Sequence, residues 1–112
     1  DIVVVKNNGE REAYSRPKLE KGIWQSLTKR PVTQENFSRL MHDIEVDIQK
    51  KKRREVTSKE IGEIVMRRLR VFDRVAYIRF ASIYRAFEDV SNFQKEISRL
   101  VPTPHRRKAR SS

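Results

Sequence analysis

The first 23 residues constrain the fold most, because a hairpin signal is followed at once by a helix start. Residues 3–5 are all valine, a β-branched residue that favours strands, and they lead to Asn8-Gly9. This dipeptide is best suited to the left-handed angles of a tight hairpin turn, so a second strand is expected over residues 10–14. Ser15 can then cap a helix through its hydroxyl, and Pro17 fits the first helical turn, where no N–H is needed.

Apolar residues recur at helical spacing through the rest of the chain. The predicted helices are residues 16–28, 34–50, 59–72, 74–87 and 92–101. Thr33 is the expected cap of the second helix, Thr57 and Glu60 form a capping box for the third, and Ser91 caps the last. Glu55-Val56 is expected to add a short third strand.

The inward faces of these helices follow from the same spacing. Their apolar positions are Leu19, Ile23, Leu27, Phe37, Leu40, Met41, Ile44, Ile48, Ile61, Ile64, Val65, Leu69 and Phe72, continued by Ala76, Phe80, Ile83 and Phe87 and, in the last helix, by Phe93, Ile97, Leu100 and Val101. Tyr77 and Tyr84 lie two turns apart on one face, and we expect this pair to be core. Arg79 and Arg85 are expected to pair with acids or to reach a phosphate.

A chain of 112 residues with 37% hydrophobic content forms one domain, predicted over residues 1–101. Pro102 and Pro104 end the last helix, and residues 102–112 are predicted to be a disordered basic tail. The chain begins with Asp1 and not with Met, so we expect a fragment or a processed form. No apolar run is long enough for a membrane span or a secretion signal, and we therefore expect no membrane partner and a cytoplasmic location.

The charge balance favours polyanionic partners. Lys and Arg number 26 against 15 Asp and Glu, a net charge of +11. Such an excess suits nucleotides, nucleic acid or an acidic membrane surface and does not choose among them. The cations at residues 50–54 are either a solvated loop or a phosphate contact.

Several kinds of chemistry are missing. There is no cysteine, which excludes a disulfide, a thiol nucleophile and a Cys-ligated zinc site within this chain. The glycines are Gly9, Gly22 and Gly62, too few and too scattered for a P-loop. His42 and His105 lie far from any nucleophile, and no acid–base pair is evident, so no enzyme is expected.

Three lysines lie close to the hairpin. Lys6 leaves the first strand, and Lys18 and Lys21 lie in the first turns of the following helix, beside backbone donors at the positive end of its dipole. These groups either converge on a strongly anionic ligand such as a nucleoside triphosphate or are simply solvated.

Longer motifs carry a family resemblance. The opening Val4-x-Lys6-x-x-Gly9, then Glu12, then Ser15-Arg16-x-Lys18-Leu19, resembles the start of an ATP-cone, a regulatory nucleotide-binding module of ribonucleotide reductases and of the transcriptional repressor of their genes. Residues 29–32 and 54–58 also match the ATP-cone pattern, and residues 73–90 resemble the branch of that family found in the transcriptional repressor. The resemblance covers about residues 2–101. It implies an α+β fold in which a small β-hairpin or three-stranded sheet forms a lid over four to five helices.

The resemblance also implies roles for individual residues. Val4 and Lys6 contact the nucleotide from the first strand, Gly9 allows the turn, and Glu12 faces the sugar or base. Lys18 holds phosphate, with Lys21 as a second phosphate ligand. The remaining implied site residues are Asn7, Ser58 near the base, and Tyr84 and Arg85 within the repressor-like run.

Two departures from the family pattern matter. The family usually has arginine after the strand lysine, whereas here Asn7-Asn8 offers only neutral amides, which bears on the preference between ATP and dATP. The repressors also carry a Cys-rich zinc ribbon that recognises DNA upstream of the reductase genes. This chain has no cysteine and cannot form such a ribbon; if the parent protein has one, the ribbon and its zinc are expected before Asp1.

The resulting hypothesis is a regulatory domain that senses ATP and dATP, with Mg²⁺, and whose ligand alters homo-oligomerisation and thereby DNA binding by a repressor. The self-association surface is expected on the fourth and last helices. Two alternatives stay open: the allosteric cone of a reductase catalytic subunit, and a basic domain that binds nucleic acid without sequence preference.

Overall fold

The computed structural model describes residues 1–100 and confirms the α+β prediction. A three-stranded sheet accompanies four helices among these residues. The elements are β1 Val3–Val5, β2 Arg11–Ala13, α1 Arg16–Ser26, α2 Gln34–Gln49, β3 Glu55–Thr57, α3 Ser58–Phe72 and α4 Arg74–Leu100. The predicted tail lies outside the described residues and stays a prediction. None of the described helices is both long enough and apolar enough to cross a membrane.

The sheet has β1 at its centre, in the order β2-β1-β3. β1 pairs antiparallel with β2, where Val4 faces Glu12, and parallel with β3, where Val4 faces Val56. The third strand predicted at Glu55-Val56 is therefore confirmed. Val4 and Val56 are both buried, and they anchor the inner face of the sheet to the helices.

The hairpin turn differs from the prediction in its centre. Gly9 N–H donates to the Lys6 carbonyl at 2.8 Å, and Lys6 N–H donates to the Glu10 carbonyl at 2.8 Å. This is a three-residue loop in which Gly9 alone takes a left-handed φ, 88°. Asn8 does not share that conformation; its side-chain oxygen instead accepts from Glu10 N–H at 2.9 Å, which holds the loop.

The helix starts follow the predicted chemistry. The Ser15 hydroxyl accepts from Lys18 N–H, and the Thr33 hydroxyl accepts from the first turn of α2. Thr57 and Glu60 form a complete capping box at the start of α3, in which each side chain accepts from the other residue's N–H. These caps fix where each helix leaves the sheet or the loop before it.

The prediction of a break near Ser91 is wrong, because α4 runs without interruption from Arg74 to Leu100. Between Phe87 and Asn92 the chain has neither Gly nor Pro, and nothing else there interrupts the backbone ladder. Ser91 is tolerated in the helix interior, although a serine can also act as a cap. One long helix replaces the two short ones that were expected.

The core lies between α1, α2, α3, the first turns of α4 and the inner sheet face. Its buried side chains are Val4, Ile23, Leu27, Phe37, Leu40, Met41, Ile44, Ile48, Val56, Ile61, Ile64, Val65, Leu69 and Ala76. Full burial of each large aliphatic side chain contributes about 1.5–3 kcal/mol. The apolar face of α4 leaves this core after Phe80, since Ile83 is 53% exposed and Phe87 69% exposed.

Polar contacts fasten the α1–α2 loop to α4. Arg30 donates to both oxygens of Asp73, and Asp73 also accepts from Ala76 N–H at 2.9 Å, which caps α4. Burial raises the pKa of the Asp73 carboxyl, but the hydrogen bonds from Ala76 and Arg30 outweigh it and hold that pKa below its ordinary value. Arg79 pairs with no acid among residues 1–100; it donates to the backbone carbonyls of Ser26 and Thr28.

Three further cations form ion pairs with acids of the described residues. Arg68 forms a bidentate pair with Asp47, with distances of 2.7 and 2.9 Å. In the basic loop, Arg53 and Lys51 both contact the Glu60 carboxylate. The hydrogen bonds from Arg53 and from Thr57 N–H lower the pKa of Glu60 to about 2.

The lowered pKa of Glu60 predicts a pH-dependent stability. The stabilisation is complete above the ordinary value of 4.5 and is lost as the pH falls through about 2. Glu60→Gln keeps an acceptor for Thr57 but loses the charge, so we expect it to unfold about 0.5–1 kcal/mol more easily at pH 6, with the difference vanishing near pH 2. Urea unfolding at a series of pH values measures this difference. Glu96→Gln, at an exposed position on α4, is the control. If the free energy of unfolding changed equally with pH in the unsubstituted chain and in both variants, the pH dependence could not be assigned to Glu60.

Candidate functional site

A cleft separates the hairpin and α1 from the start of α3 and the middle of α4. Its outer part has a volume of about 600 Å³ and its inner recess about 400 Å³. Both parts share the same lining side chains, which makes them one continuous cleft. The shared residues are Val4, Glu12, Lys18, Ser58, Tyr84 and Phe87.

The inner recess is mostly apolar. Val4 from the central strand, Ile61 and Val65 from α3 and Phe80 from α4 line it, and all four belong to or pack on the core. The recess is therefore a shallow extension of the hydrophobic core that opens toward solvent. A flat, largely apolar group of a ligand could be buried there.

Tyr84 stands at the boundary between the recess and the outer cleft, and Gly62 allows its position. A Cβ on Gly62 would fall 2.8 Å from Cδ1 of Tyr84 and closer still to Cε1, so only glycine permits this approach of α3 to α4. The Tyr84 hydroxyl donates to the Glu88 carboxylate at 3.2 Å and lies 3.4 Å from the Lys59 carbonyl. Burial, and then the negative charge of Glu88, raise the pKa of Tyr84 to about 12, so this hydroxyl keeps its proton at neutral pH.

The rim of the cleft is cationic. Lys6, Lys18 and Lys59 all line it, and all three are exposed. Lys18 lies in the first turn of α1 and Lys59 in the first turn of α3, where backbone donors and the positive end of each helix dipole favour an anion. Lysine ammonium groups and helix starts thus meet at one edge of the cleft.

Glu12 is an acid of this rim, paired with one of its lysines. Lys18 Nζ lies 3.0 Å from its carboxylate, and this hydrogen bond, together with the charges of Lys18 and Lys6, lowers the pKa of Glu12 despite the opposing desolvation. The pair keeps Lys18 directed toward the cleft. An incoming polyanion would compete with Glu12 for the same ammonium group.

The structure brings most of the sequence-predicted site residues together. Those that line the cleft are Val4, Lys6, Asn7, Glu12, Lys18, Ser58 and Tyr84. Gly9 lies in the hairpin loop and supplies its left-handed turn. Lys21 lies elsewhere, in a groove beside Trp24 and Phe37, whose rings meet edge to face at 4.8 Å. Arg85 is exposed on α4 and lines neither part of the cleft.

The cleft also contains residues that were not predicted to line it. They are Asn8, Lys59, Phe87, Glu88, Val90, Ser91 and Gln94. Lys59 could have been predicted as a cleft residue, because it directly follows Ser58, a predicted site residue. Asn8 belongs to the hairpin loop, and Phe87 was expected on the inward face of its helix. Val90, Ser91 and Gln94 follow from the uninterrupted α4, since a helix ending at residue 87 could not have presented Gln94 to the hairpin. Tyr84 was expected to be core, but it is a partly exposed wall of the cleft.

Comparison with known families identifies this architecture. The family model described as the ATP cone domain matches residues 2–90. The chain belongs to the ATP-cone family. In this ATP cone, the lid predicted from the resemblance corresponds to β1 and β2, and the cleft lies between this lid, α1, α3 and α4.

Curated relatives of this ATP cone are named transcriptional repressor NrdR. The protein of Thermosynechococcus vestitus is 47% identical over 103 residues, covering 92% of this chain and 64% of the relative. The protein of Acetivibrio thermocellus is 47% identical over 100 residues, with 89% and 66% covered. That of Roseiflexus sp. is 45% identical over 104 residues, with 93% and 68% covered. The chain thus spans about two thirds of the length of these relatives.

The contact between Gly62 and Tyr84 gives a structural prediction. Gly62→Ala places a methyl group inside the Tyr84 ring, so we expect the ring to leave the cleft wall and the free energy of unfolding to fall by about 1–3 kcal/mol. Urea unfolding and the NMR shifts of the Tyr84 ring measure the two effects.

Gly22→Ala is the matched control, because a Cβ there meets nothing within 4 Å. Alanine has the higher helix propensity, and this variant should gain up to about 1 kcal/mol. Equal stability changes in the two variants would show that the close approach of Tyr84 to Gly62 is not a constraint.

Proposed function

We propose that this chain is a nucleotide-sensing regulatory domain of a transcriptional repressor, and that ATP or dATP binds in the cleft between the hairpin and α4. One observation carries the proposal. The cleft joins a cationic rim, Lys6 and Lys18 at two separate elements, to an apolar recess walled by Tyr84 and Phe87. That combination suits a molecule with a polyanionic end and a flat aromatic end.

The phosphates are assigned to the rim. Charge-assisted hydrogen bonds from ammonium groups to phosphate are among the stronger polar contacts in proteins. Lys6 reaches from the end of β1 and Lys18 from α1, so the two approach from different elements. Binding would exchange the Glu12–Lys18 pair for a phosphate–Lys18 pair and free Glu12 to accept from a ribose hydroxyl. Lys59 is a further phosphate ligand in this arrangement.

The base is assigned to the recess. Adenine would lie against the Tyr84 ring, with Val4 beneath it and Ser58 at its edge, a mode in which aromatic stacking and apolar burial act together. Asn7 and Asn8 stand at the hairpin side of the outer cleft and offer amides where the family usually has an arginine. The loss of one cation bears on phosphate affinity and on the balance between ATP and dATP.

Mg²⁺ fits this site only as part of the nucleotide complex. Among residues 1–100 no cluster of three His, Asp or Glu side chains is placed to hold a metal. The phosphates of the nucleotide and water molecules would supply most of the ligands of Mg²⁺, as is usual for this ion. A Cys-ligated zinc site cannot be built from these residues, since the chain has no cysteine.

The regulatory role rests on the named relatives. Because those proteins are transcriptional repressors, we assign this domain to regulation and not to catalysis. In the whole protein, a zinc ribbon outside these 112 residues would contact DNA upstream of reductase genes. Nucleotide occupancy would alter homo-oligomerisation and so DNA binding, in the cytoplasm, where that DNA lies.

Substitution of the rim lysines tests the nucleotide site. Lys6→Ala and Lys18→Ala each remove a phosphate contact of about 1.5–3 kcal/mol, so we expect ATP affinity to fall about tenfold or more. Lys21→Ala is the matched control, because Lys21 lines a different groove. Isothermal titration with ATP and with dATP measures all three. Equal losses in the three variants would indicate general charge attraction in place of the assigned cleft.

A second measurement separates the cone from the basic nucleic-acid-binding alternative. Salt-sensitive binding to any duplex, unaffected by ATP and unchanged in Lys18→Ala, would favour the alternative. ATP binding at physiological salt that Lys18→Ala abolishes would favour the cone.

A further inference from the structure

Five consecutive cations join α2 to β3, and the nucleotide cleft uses none of them. They are Lys50, Lys51, Lys52, Arg53 and Arg54, the basic loop. All five are exposed, and none lines either part of the cleft. The basic loop is therefore a cationic surface separate from the proposed nucleotide site.

The backbone holds this loop in one shape. Lys52 N–H donates to the Gln49 carbonyl at 3.0 Å at the end of α2, and the Arg54 carbonyl accepts from Val3 N–H at 2.7 Å at the edge of the sheet. Lys52 has a φ of 54°, in the left-handed region where glycine or asparagine is the least strained residue. Conformational preference does not account for a lysine at this position, which points to its charge.

One carboxylate balances part of the charge of the basic loop. Lys51 Nζ lies 3.8 Å from the Glu60 carboxylate, which Arg53 also contacts. The other three cations of the loop form no ion pair with any residue of the range 1–100. Five cations against the single charge of Glu60 leave a local charge of +4.

The residue types of the basic loop select its ligand. No apolar or aromatic residue interrupts residues 50–54. A membrane-binding surface needs apolar side chains to insert, single-stranded nucleic acid is held largely by bases stacked on aromatic rings, and lysine is depleted at protein interfaces. A surface of cations alone matches the closely spaced phosphates of a duplex, where binding is driven by the release of counterions.

We propose that the basic loop binds the sugar–phosphate backbone of double-stranded DNA, without regard to base sequence. Lys50, Lys52 and Arg54 make the contacts, while Glu60 holds the two cations between them. Phosphate contacts of this kind fix the position and orientation of a protein on a duplex and carry no sequence information. The loop thus adds a DNA contact within the regulatory domain itself.

The sheet topology keeps this contact apart from the nucleotide. Because β1 and β3 are parallel, the basic loop enters the sheet at the same edge as residues 1–2, whereas Lys6 and Ser58 leave it at the other edge, beside the cleft. A duplex on the loop therefore leaves the cleft open. A zinc ribbon ahead of Asp1 would hold its DNA on the loop's side of the sheet, a step that rests on the proposed function.

Three triple variants of the full chain test the loop, and each lowers the net charge by the same amount. The loop variant is Lys50→Gln, Lys52→Asn and Arg54→Gln, in which asparagine suits the left-handed position of residue 52. The first control changes three exposed residues of α3 and α4, Arg67→Gln, Arg70→Gln and Arg74→Gln. The second control is Arg106→Gln, Arg107→Gln and Arg110→Gln.

Fluorescence anisotropy of a labelled duplex of random sequence measures binding over a series of salt concentrations. The loop variant should bind about tenfold or more weakly at low salt, and its slope of log affinity against log salt should be shallower by about 2–3, since each phosphate contact contributes about 0.9. Both controls should bind within about threefold of the unsubstituted chain. Equal losses in all three variants, or a loop variant that binds normally, would overturn the proposal.

The same measurement tests the choice of ligand. A single strand of equal length should bind the unsubstituted chain more weakly than the duplex does, because the loop has no ring on which a base can stack. A single strand that binds as tightly as the duplex would overturn the assignment. Loop-dependent binding to vesicles of phosphatidylserine and phosphatidylcholine, without binding to the duplex, would also overturn it.

NMR titration of the unsubstituted chain separates this proposal from the proposed function. Amide shifts at residues 50–54 with duplex, and at Lys6, Lys18 and Ser58 with ATP, support both. The basic nucleic-acid-binding alternative lacks the response to ATP. Cleft shifts with ATP and none in the loop with duplex overturn the loop contact and leave the proposed function. Loop shifts with duplex and none with ATP overturn the proposed function and leave the loop contact.

Discussion

The parallel pairing of β1 with β3 is the constraint on which the site depends. Strands that run parallel end at the same edge of a sheet, so the chain leaves β1 at Lys6 beside the point where it leaves β3 at Ser58. The hairpin loop and the start of α3 are thereby brought together although roughly fifty residues separate them. Such a pairing needs a long connection, which α1 and α2 supply while they build the core beneath the sheet.

The sequence predicts the fold well where local chemistry decides it. Ser15, Thr33 and the Thr57–Glu60 box mark helix starts through side-chain hydrogen bonds that depend only on neighbouring residues. Prediction fails where tertiary context decides. Nothing local distinguishes Ser91 as a cap from Ser91 inside a helix, and the spacing that buries Ala76 continues unchanged to the exposed Phe87.

The residues of the candidate site can likewise be predicted where a sequence motif places them, and cannot be predicted where tertiary packing does. Lys6, Glu12 and Lys18 follow from motif positions, and the structure places them around one cleft. Lys21 belongs to the same sequence cluster yet lines another groove, with Trp24 and Phe37, which only the packing of α1 against α2 decides. Gln94 was inaccessible to prediction, since its place in the cleft depends on a helix that was expected to end earlier.

The contacts of Arg79 and Arg30 have a mechanical consequence. Both hold the carboxyl end of α1 and the loop after it against α4, through the carbonyls of Ser26 and Thr28 and through Asp73. The opposite end of α1 carries Lys18, and there Arg16 pairs with Glu45 of α2 at 2.7 Å. Because α1 is held at both ends, Lys18 is presented to the cleft from a helix whose position the rest of the domain sets, and a ligand meets a framework that is already in place.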